Sequence, residues 1–114
     1  MAADVVFLLD TSSGVGKENF AKMKEFVRRI VTTFEMDSLM TQCSVITYDT
    51  EARLDIRLSD FKSEETFLEK LEKLEYNAGK ATRIDYALVM ANDEAFAPEN
   101  GAREDVKKVS LCCI

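Results

Sequence analysis

The fold of this chain is decided near its start, by the stretch Asp4-Val5-Val6-Phe7-Leu8-Leu9-Asp10-Thr11-Ser12-Ser13-Gly14-Val15-Gly16. Its first part is an unbroken apolar run that ends in an acid, which is typical of a strand buried on both faces. Hydroxyl and glycine residues follow at once, and from Lys17 the apolar residues recur with helical spacing. This order predicts an α/β fold. The loop then lies at the carboxyl end of a central strand, where such folds bind ligands.

The remaining sequence predicts three more strands and two more helices in a single domain, residues 1–114. Residues 43–48 are rich in β-branched and aromatic side chains, and residues 52–58 alternate apolar and charged side chains as an antiparallel edge strand does. Helices are predicted over residues 63–74 and 82–96, and a final apolar strand over residues 106–114. The predicted apolar stripe of the first helix is Phe20, Met23, Phe26 with Val27, Ile30 and Phe34. That of the third helix is Ile84, Leu88, Ala91 and Phe96.

The composition excludes several classes of function. A net charge of -6 disfavours nucleic acid and membranes as partners, because binding to phosphates needs clustered basic side chains. The chain has no histidine and no evident pair of nucleophile and base, so no enzymatic activity is predicted. No apolar run approaches the roughly 18 residues of a membrane-spanning helix. Cys43, Cys112 and Cys113 lie in apolar runs and are predicted to be core thiols.

Three interpretations compete for the loop that follows the first strand. In the first, Gly14, Gly16 and Lys17 cradle a phosphate, as in a strand–loop–helix nucleotide site. That pattern requires a glycine at position 11 and a hydroxyl at position 18, where this chain has Thr11 and Glu18. A small nucleotide- or phosphate-binding protein that uses residues 14–17 is therefore kept as the alternative function.

The second interpretation is a site for a hard cation. Asp10 and Ser12 project from one tight loop, and Thr82 could approach from the loop before the third helix. Mg²⁺ and Ca²⁺ prefer such oxygen ligands, and a site with few carboxylates would seek an acidic group from a partner. In the third interpretation, Asp10 and Ser12 only cap the helix and satisfy the amides of the loop.

Short landmarks occur in a fixed order along the whole chain. They are residues 4–10, Asn19-Phe20, residues 24–27, Tyr48, Ala52-Arg53, residues 58–61, Ala87-Leu88, residues 101–103 and residues 107–109. In this order they resemble the N-terminal part of a von Willebrand factor type A domain, especially those of collagen VI and matrilin-like matrix proteins. The resemblance implies a Rossmann-like open sheet of order 3-2-1-4, mostly parallel with strand 3 antiparallel, and helices on both faces. It also implies a truncated version of that domain.

The same resemblance implies a degenerate metal-ion-dependent adhesion site. Asp10, Ser12 and Thr82 occupy family ligand positions, but the second serine of the family loop is Gly14 in this chain. Lys80 stands where a glycine is usual, residues 84 and 85 replace the usual Thr-Gly, and the family aspartate after strand 4 would lie beyond residue 114. Weak binding of Mg²⁺ or Ca²⁺ is therefore expected.

The function implied by the resemblance is a non-enzymatic protein–protein interaction and adhesion module of extracellular-matrix type. Its expected partner is a matrix protein or a collagen, and its expected location is extracellular. No signal peptide precedes the first strand, which keeps a cytoplasmic location as the alternative. The final strand is expected to be a bare sheet edge, through which Val109, Leu111 and Cys113 would form a homodimer.

Overall fold

A computed structural model describes residues 2–33 and 41–113 as one sheet with helices on both faces. The strands are β1 (Ala3–Asp10), β2 (Thr41–Tyr48), β3 (Ala52–Ile56) and β4 (Lys107–Cys113). The α-helices are α1 (Lys17–Thr33), α2 (Glu64–Glu72) and α3 (Ile84–Met90), and α3 continues as a π-helical turn over Ala91–Ala95. Short 3₁₀ turns occupy Leu58–Asp60 and Pro98–Asn100. No helix in the described residues is long and apolar enough to cross a membrane.

The sheet has the order β3-β2-β1-β4, as predicted. β1 pairs in parallel with β2 on one side and β4 on the other, and β3 pairs antiparallel with β2. The third strand ends at Ile56, two residues earlier than predicted, because the chain turns there into the 3₁₀ segment that buries Leu58. The predicted mixed α/β fold is confirmed.

Every residue of β1 is buried, because helices cover both faces of the sheet at its centre. Val5, Phe7 and Leu9 belong to the core on the side of α1 and α2. Val6 and Leu8 belong to a second, smaller core on the side of α3. This two-sided burial explains why the sequence of β1 reads as a continuous apolar run.

The predicted apolar stripes of the helices were right in part. α1 buries Phe20, Met23 and Val27 as predicted, whereas the side chain of Phe26 is 51% exposed. On the other face, Ala87, Ala91 and Ala95 contact the sheet, while Ile84 and Leu88 are exposed. Small side chains let this helix approach the sheet closely, which turns its larger neighbours outward. The predicted core residue Phe34 lies outside the described residues.

The cysteines differ in environment. Cys43 in β2 is buried as predicted, and burial raises the pKa of its thiol to about 12, so it is an inert core group. Cys112 in β4 is exposed, so its prediction as a core thiol was wrong. β4 lies at an edge of the described sheet, and exposed residues alternate along it with the half-buried Val109 and Leu111. The side chain of Cys113 and all of Ile114 lie outside the described residues.

One buried acid ties β4 to the start of β1. The carboxylate of Asp4 accepts hydrogen bonds from the Arg103 backbone amide at 2.7 Å and from Arg103 Nε at 3.0 Å. Lys108 Nζ lies 3.5 Å from Oδ2 of the same carboxylate. Asp4 is fully buried, so these two basic residues compensate a charge that the core could not otherwise hold.

Candidate metal site at the carboxyl ends of β1 and β2

Residues 10–16, which we call the metal loop, connect β1 to α1. Asp10 ends β1 and is 7% exposed, and Ser12 is 5% exposed. Asp10 Oδ1 accepts a hydrogen bond from the Ser12 amide at 2.8 Å. The structure therefore brings together the first two predicted ligands, and it holds them by a local turn of the kind that aspartate favours.

The backbone amides of the metal loop are largely engaged within the protein. Ser13 N–H donates to the Gly79 carbonyl at 2.7 Å and Val15 N–H to the Ser12 carbonyl at 3.1 Å. Gly16 N–H donates to Tyr76 Oη at 3.1 Å. A phosphate loop needs several amides free to converge on its ligand. In this loop the amides of Ser13, Val15 and Gly16 already donate to acceptors within the protein. This argues against the alternative of a nucleotide- or phosphate-binding protein.

Residues 76–83, the crossover segment, carry Thr82 past the metal loop on the way from α2 to α3. Gly79 N–H donates to the Thr11 carbonyl at 3.1 Å, and Arg83 N–H donates to the Asp49 carbonyl at 2.7 Å. Thr82 is exposed and lies directly before the second of these anchors. The predicted third ligand is thus on a segment held beside the metal loop. Lys80, also exposed, is on the same segment.

Asp85, which follows Thr82 closely in sequence, is not free to act as a further acidic ligand. Its carboxylate is paired with the Arg83 guanidinium, with Arg83 Nη2 at 2.7 Å from Oδ2. The hydrogen bond from Arg83 lowers the pKa of Asp85 to about 2. The guanidinium also lies over the Tyr86 ring, 3.7 Å from its centroid. Both charges at the start of α3 are therefore compensated locally.

Asp49, directly after β2, is a structural support of the site that the sequence analysis missed. It is 2% exposed, and its Oδ2 accepts hydrogen bonds from Thr11 Oγ1 at 2.7 Å, Arg53 Nη2 at 2.8 Å and Asn77 Nδ2 at 2.8 Å. Burial alone would raise the pKa of Asp49, but the hydrogen bonds from Arg53, Asn77, Thr11 and the Glu51 amide hold it well below its usual range. An acid directly after an apolar strand, as at Asp10, was the available signal.

Two glycines near the site differ in the space around them. A Cβ added to Gly79 would lie 2.4 Å from Cβ and Cγ of Asp49, so the close approach of the crossover segment to β2 requires glycine. A Cβ added to Gly14 would meet nothing within 4 Å. The position of the missing serine ligand is therefore open, and its loss leaves a gap in the donor set without closing the site.

The residues present fit a hard cation with an incomplete set of ligands. Asp10, Ser12 and Thr82 supply one carboxylate and two hydroxyls, which are the oxygen donors that Mg²⁺ and Ca²⁺ prefer. Within residues 2–33 and 41–113 there is no group of three or more histidine, cysteine or acidic side chains that could hold a metal ion. In the same part of the chain no buried side-chain nitrogen or oxygen lacks a hydrogen-bond partner. The loop is thus satisfied without a cation.

Comparison with known proteins agrees with this architecture. The family profile of the von Willebrand factor type A domain matches residues 4–112. Matrilin-1 of Gallus gallus is 34% identical over 110 residues, which cover 96% of this chain and 22% of that protein. The collagen alpha-6(VI) chain of Mus musculus is 31% identical over 108 residues, 95% of this chain and 5% of the collagen chain. The chain therefore spans less than a quarter of the length of these curated relatives.

The solved structures of proximal thread matrix protein 1 from the mussel byssus have the same fold. One of them superposes with a TM-score of 0.91 at 25% identity, over 98% of this chain and 30% of the other. Another, at 24% identity and the same TM-score, is described with a zinc-occupied metal-ion-dependent adhesion motif in that protein. Profile, sequence and fold agree, and this chain belongs to the von Willebrand factor type A domain family.

Proposed function

We propose that this chain is a non-enzymatic, extracellular protein-interaction module that binds a matrix protein or a collagen. The observation that carries the proposal is the metal loop, which holds Asp10 and Ser12 at the carboxyl end of the central strand, beside the segment that bears Thr82. Membership of the domain family and relatives named as matrilin and collagen chains support an adhesive role. The relatives are not enzymes by name.

In this proposal Mg²⁺ or Ca²⁺ binds weakly at Asp10, Ser12 and Thr82. Asp10 would contribute the carboxylate among these three donors, and Ser12 and Thr82 would contribute hydroxyls. A divalent ion held there would supply a Lewis-acidic contact for a carboxylate of the partner. The role of the chain is to orient the oxygen donors and to keep Asp10 out of bulk water.

Restoring the absent ligand tests the metal component of the proposal. Gly14→Ser adds a hydroxyl where the structure has open space, so we expect the affinity for Mn²⁺ or Mg²⁺, measured by calorimetric titration, to rise about tenfold. Gly14→Ala is the matched control, because it adds the carbon without the oxygen. ATP titrated separately should leave the melting temperature unchanged. Equal metal binding by Gly14→Ser, Gly14→Ala and Asp10→Asn chains would contradict the proposal.

We further propose that this 114-residue chain self-associates through β4, as a homodimer with a continuous sheet. β4 lies at the edge of the described sheet, and edge strands pair readily with other strands. Val109 and Leu111 pack against the core of their own chain, so pairing would use mainly the backbone of residues 107–113. Cys113 completes the proposed interaction residues.

Light scattering at about 100 μM protein decides between a dimer and a monomer, since edge pairing of this kind is concentration-dependent. Ser110→Lys adds a charge to an exposed position of β4 and should shift the mass to that of a monomer. Thr50→Lys, at an exposed turn position away from β4, serves as the control for added charge. A wild-type chain that is monomeric at this concentration would rule out the dimer.

A further inference from the structure

The hydroxyl of Tyr76 closes the metal loop from outside it. Tyr76 Oη donates to the Ser12 carbonyl at 2.6 Å and accepts from the Gly16 amide at 3.1 Å. One oxygen atom therefore joins both ends of the turn that contains the position of the missing ligand, Gly14. The contact bridges residues at least 60 positions apart in sequence, so the local sequence of the loop does not impose it.

The position of this hydroxyl is fixed by packing. The Tyr76 ring lies against the Phe20 ring of α1 with the centroids 5.8 Å apart, and the side chain packs against the main core. Lys24, one turn further along α1, donates to the carbonyls of Glu72 and Leu74 at 3.2 and 3.0 Å. The chain entering Tyr76 is thus anchored to the same helix that begins at the metal loop.

Ser12 is held on both sides of its α-carbon. Its amide donates to Asp10 Oδ1, and its carbonyl accepts from Val15 N–H and from Tyr76 Oη. Two bonded peptide groups fix the backbone of Ser12 and hence the direction of its Cα–Cβ bond. The point from which the Ser12 hydroxyl projects therefore depends on the Tyr76 contact as well as on the loop itself, while the hydroxyl still selects among the staggered rotamers about that bond.

We propose that Tyr76 is a positioning residue for cation binding: its hydroxyl, which is not a ligand, sets the geometry of Ser12 and Gly16 and thereby the affinity of the metal loop. This rests on the metal site proposed above. The same crossover segment carries Thr82, so one segment orders the loop and presents a ligand to it. Partners outside the ligand set commonly change metal affinity 10- to 100-fold when they are removed.

The test is Tyr76→Phe in the Gly14→Ser chain, with Mn²⁺ as the probe. The ring and its contact with Phe20 remain, so the chain should fold, and the dissociation constant for Mn²⁺ should rise about tenfold. Tyr86→Phe removes the same group from a tyrosine on α3 that is 46% exposed, and it should leave the dissociation constant unchanged. Thermal melting of both variants separates lost affinity from lost stability.

Amide hydrogen exchange provides a second readout that does not need bound metal. The Gly16 amide loses its acceptor in Tyr76→Phe and should exchange at least about tenfold faster, whereas the Phe20 amide, bonded to the Gly16 carbonyl, should not change. An Mn²⁺ affinity within about twofold of the Gly14→Ser parent, or unchanged exchange at Gly16, would overturn the proposal. If the parent itself binds no Mn²⁺, the proposed metal site fails, and so does the role of Tyr76 in it, while exchange at Gly16 separately reports whether Tyr76 orders the loop.

Discussion

Gly79→Ala should destabilise this protein far more than an exposed glycine substitution does. The new Cβ would lie 2.4 Å from Cβ and Cγ of Asp49, about 1 Å inside ordinary contact, and 2.7 Å from its Oδ1. Asp49 cannot move aside freely, because Thr11, Arg53 and Asn77 hold its carboxylate. Either the crossover segment separates from β2 or the network around Asp49 loosens.

The expected loss of stability has two contributions, one from the steric overlap and one from the weakened hydrogen bonds of Asp49. Overpacking of this kind costs about 1–3 kcal/mol, and one loosened hydrogen bond to a buried charge costs a further ~1.5–3 kcal/mol. We expect the free energy of unfolding to fall by about 3–4 kcal/mol, which lowers the melting temperature of a domain of this size by roughly 10–20 °C. Circular dichroism melts and urea titrations measure both quantities.

Gly14→Ala is the matched control for that substitution. It adds the same methyl group at a position where nothing lies within 4 Å, so its effect on the free energy of unfolding should stay within about 0.5 kcal/mol. If Gly79→Ala lowers the free energy of unfolding by less than about 1 kcal/mol, the close contact between Gly79 and Asp49 does not constrain the crossover segment, and the reasoning is refuted.

Three further outcomes are expected. Because the pKa of Asp49 is held below its unfolded value, its contribution to stability is present above about pH 4 and is lost as the pH falls toward the folded pKa; urea titrations at several acidic pH values should show a smaller loss for Asp49→Asn than for the wild type. Val27→Ala should cost about 2 kcal/mol, whereas Phe26→Ser should cost under about 1 kcal/mol, measured by thermal melting. A maleimide reagent followed by peptide mass spectrometry should label Cys112 in the native protein and leave Cys43 unmodified until the chain unfolds.

The sequence predicted the sheet better than the helix faces. β1 could be recognised because a strand buried on both sides carries an apolar signal at every position, and its order with the other strands followed from the family resemblance. The stripes of α1 and α3 were assigned from large side chains. The structure buries Val27 but exposes its neighbour Phe26, and on α3 it buries Ala87 and exposes Leu88. The spacing of apolar residues does not determine how closely a helix packs on the sheet, and that distance decides which side chains are buried.

The sequence was enough to predict that Asp10 and Ser12 lie together, because they stand in a recognisable strand–loop motif. Their role as metal ligands stays a prediction, and the residues that support the loop were missed. Asp49 and Tyr76 act across 38 and 64 residues of sequence, through contacts that exist only after the strands have assembled. Hydrogen bonds between residues so far apart produce no local pattern in the amino-acid sequence.

The buried carboxylate of Asp4 also determines how β4 can join the sheet. Asp4 lies opposite Lys108 in the parallel register, and its bond to Arg103 spans 99 residues. If β4 shifted by one residue against β1, Lys108 would turn to the other face of the sheet. The buried Asp4 carboxylate would then lose this partner, at a cost of about 3–5 kcal/mol. β4 therefore has one permitted alignment with β1. The Asp4 side chain thus connects the two ends of the described chain. Proteolytic removal of β4 would take away the basic residue Lys108 that pairs with this buried carboxylate, and should therefore also destabilise β1.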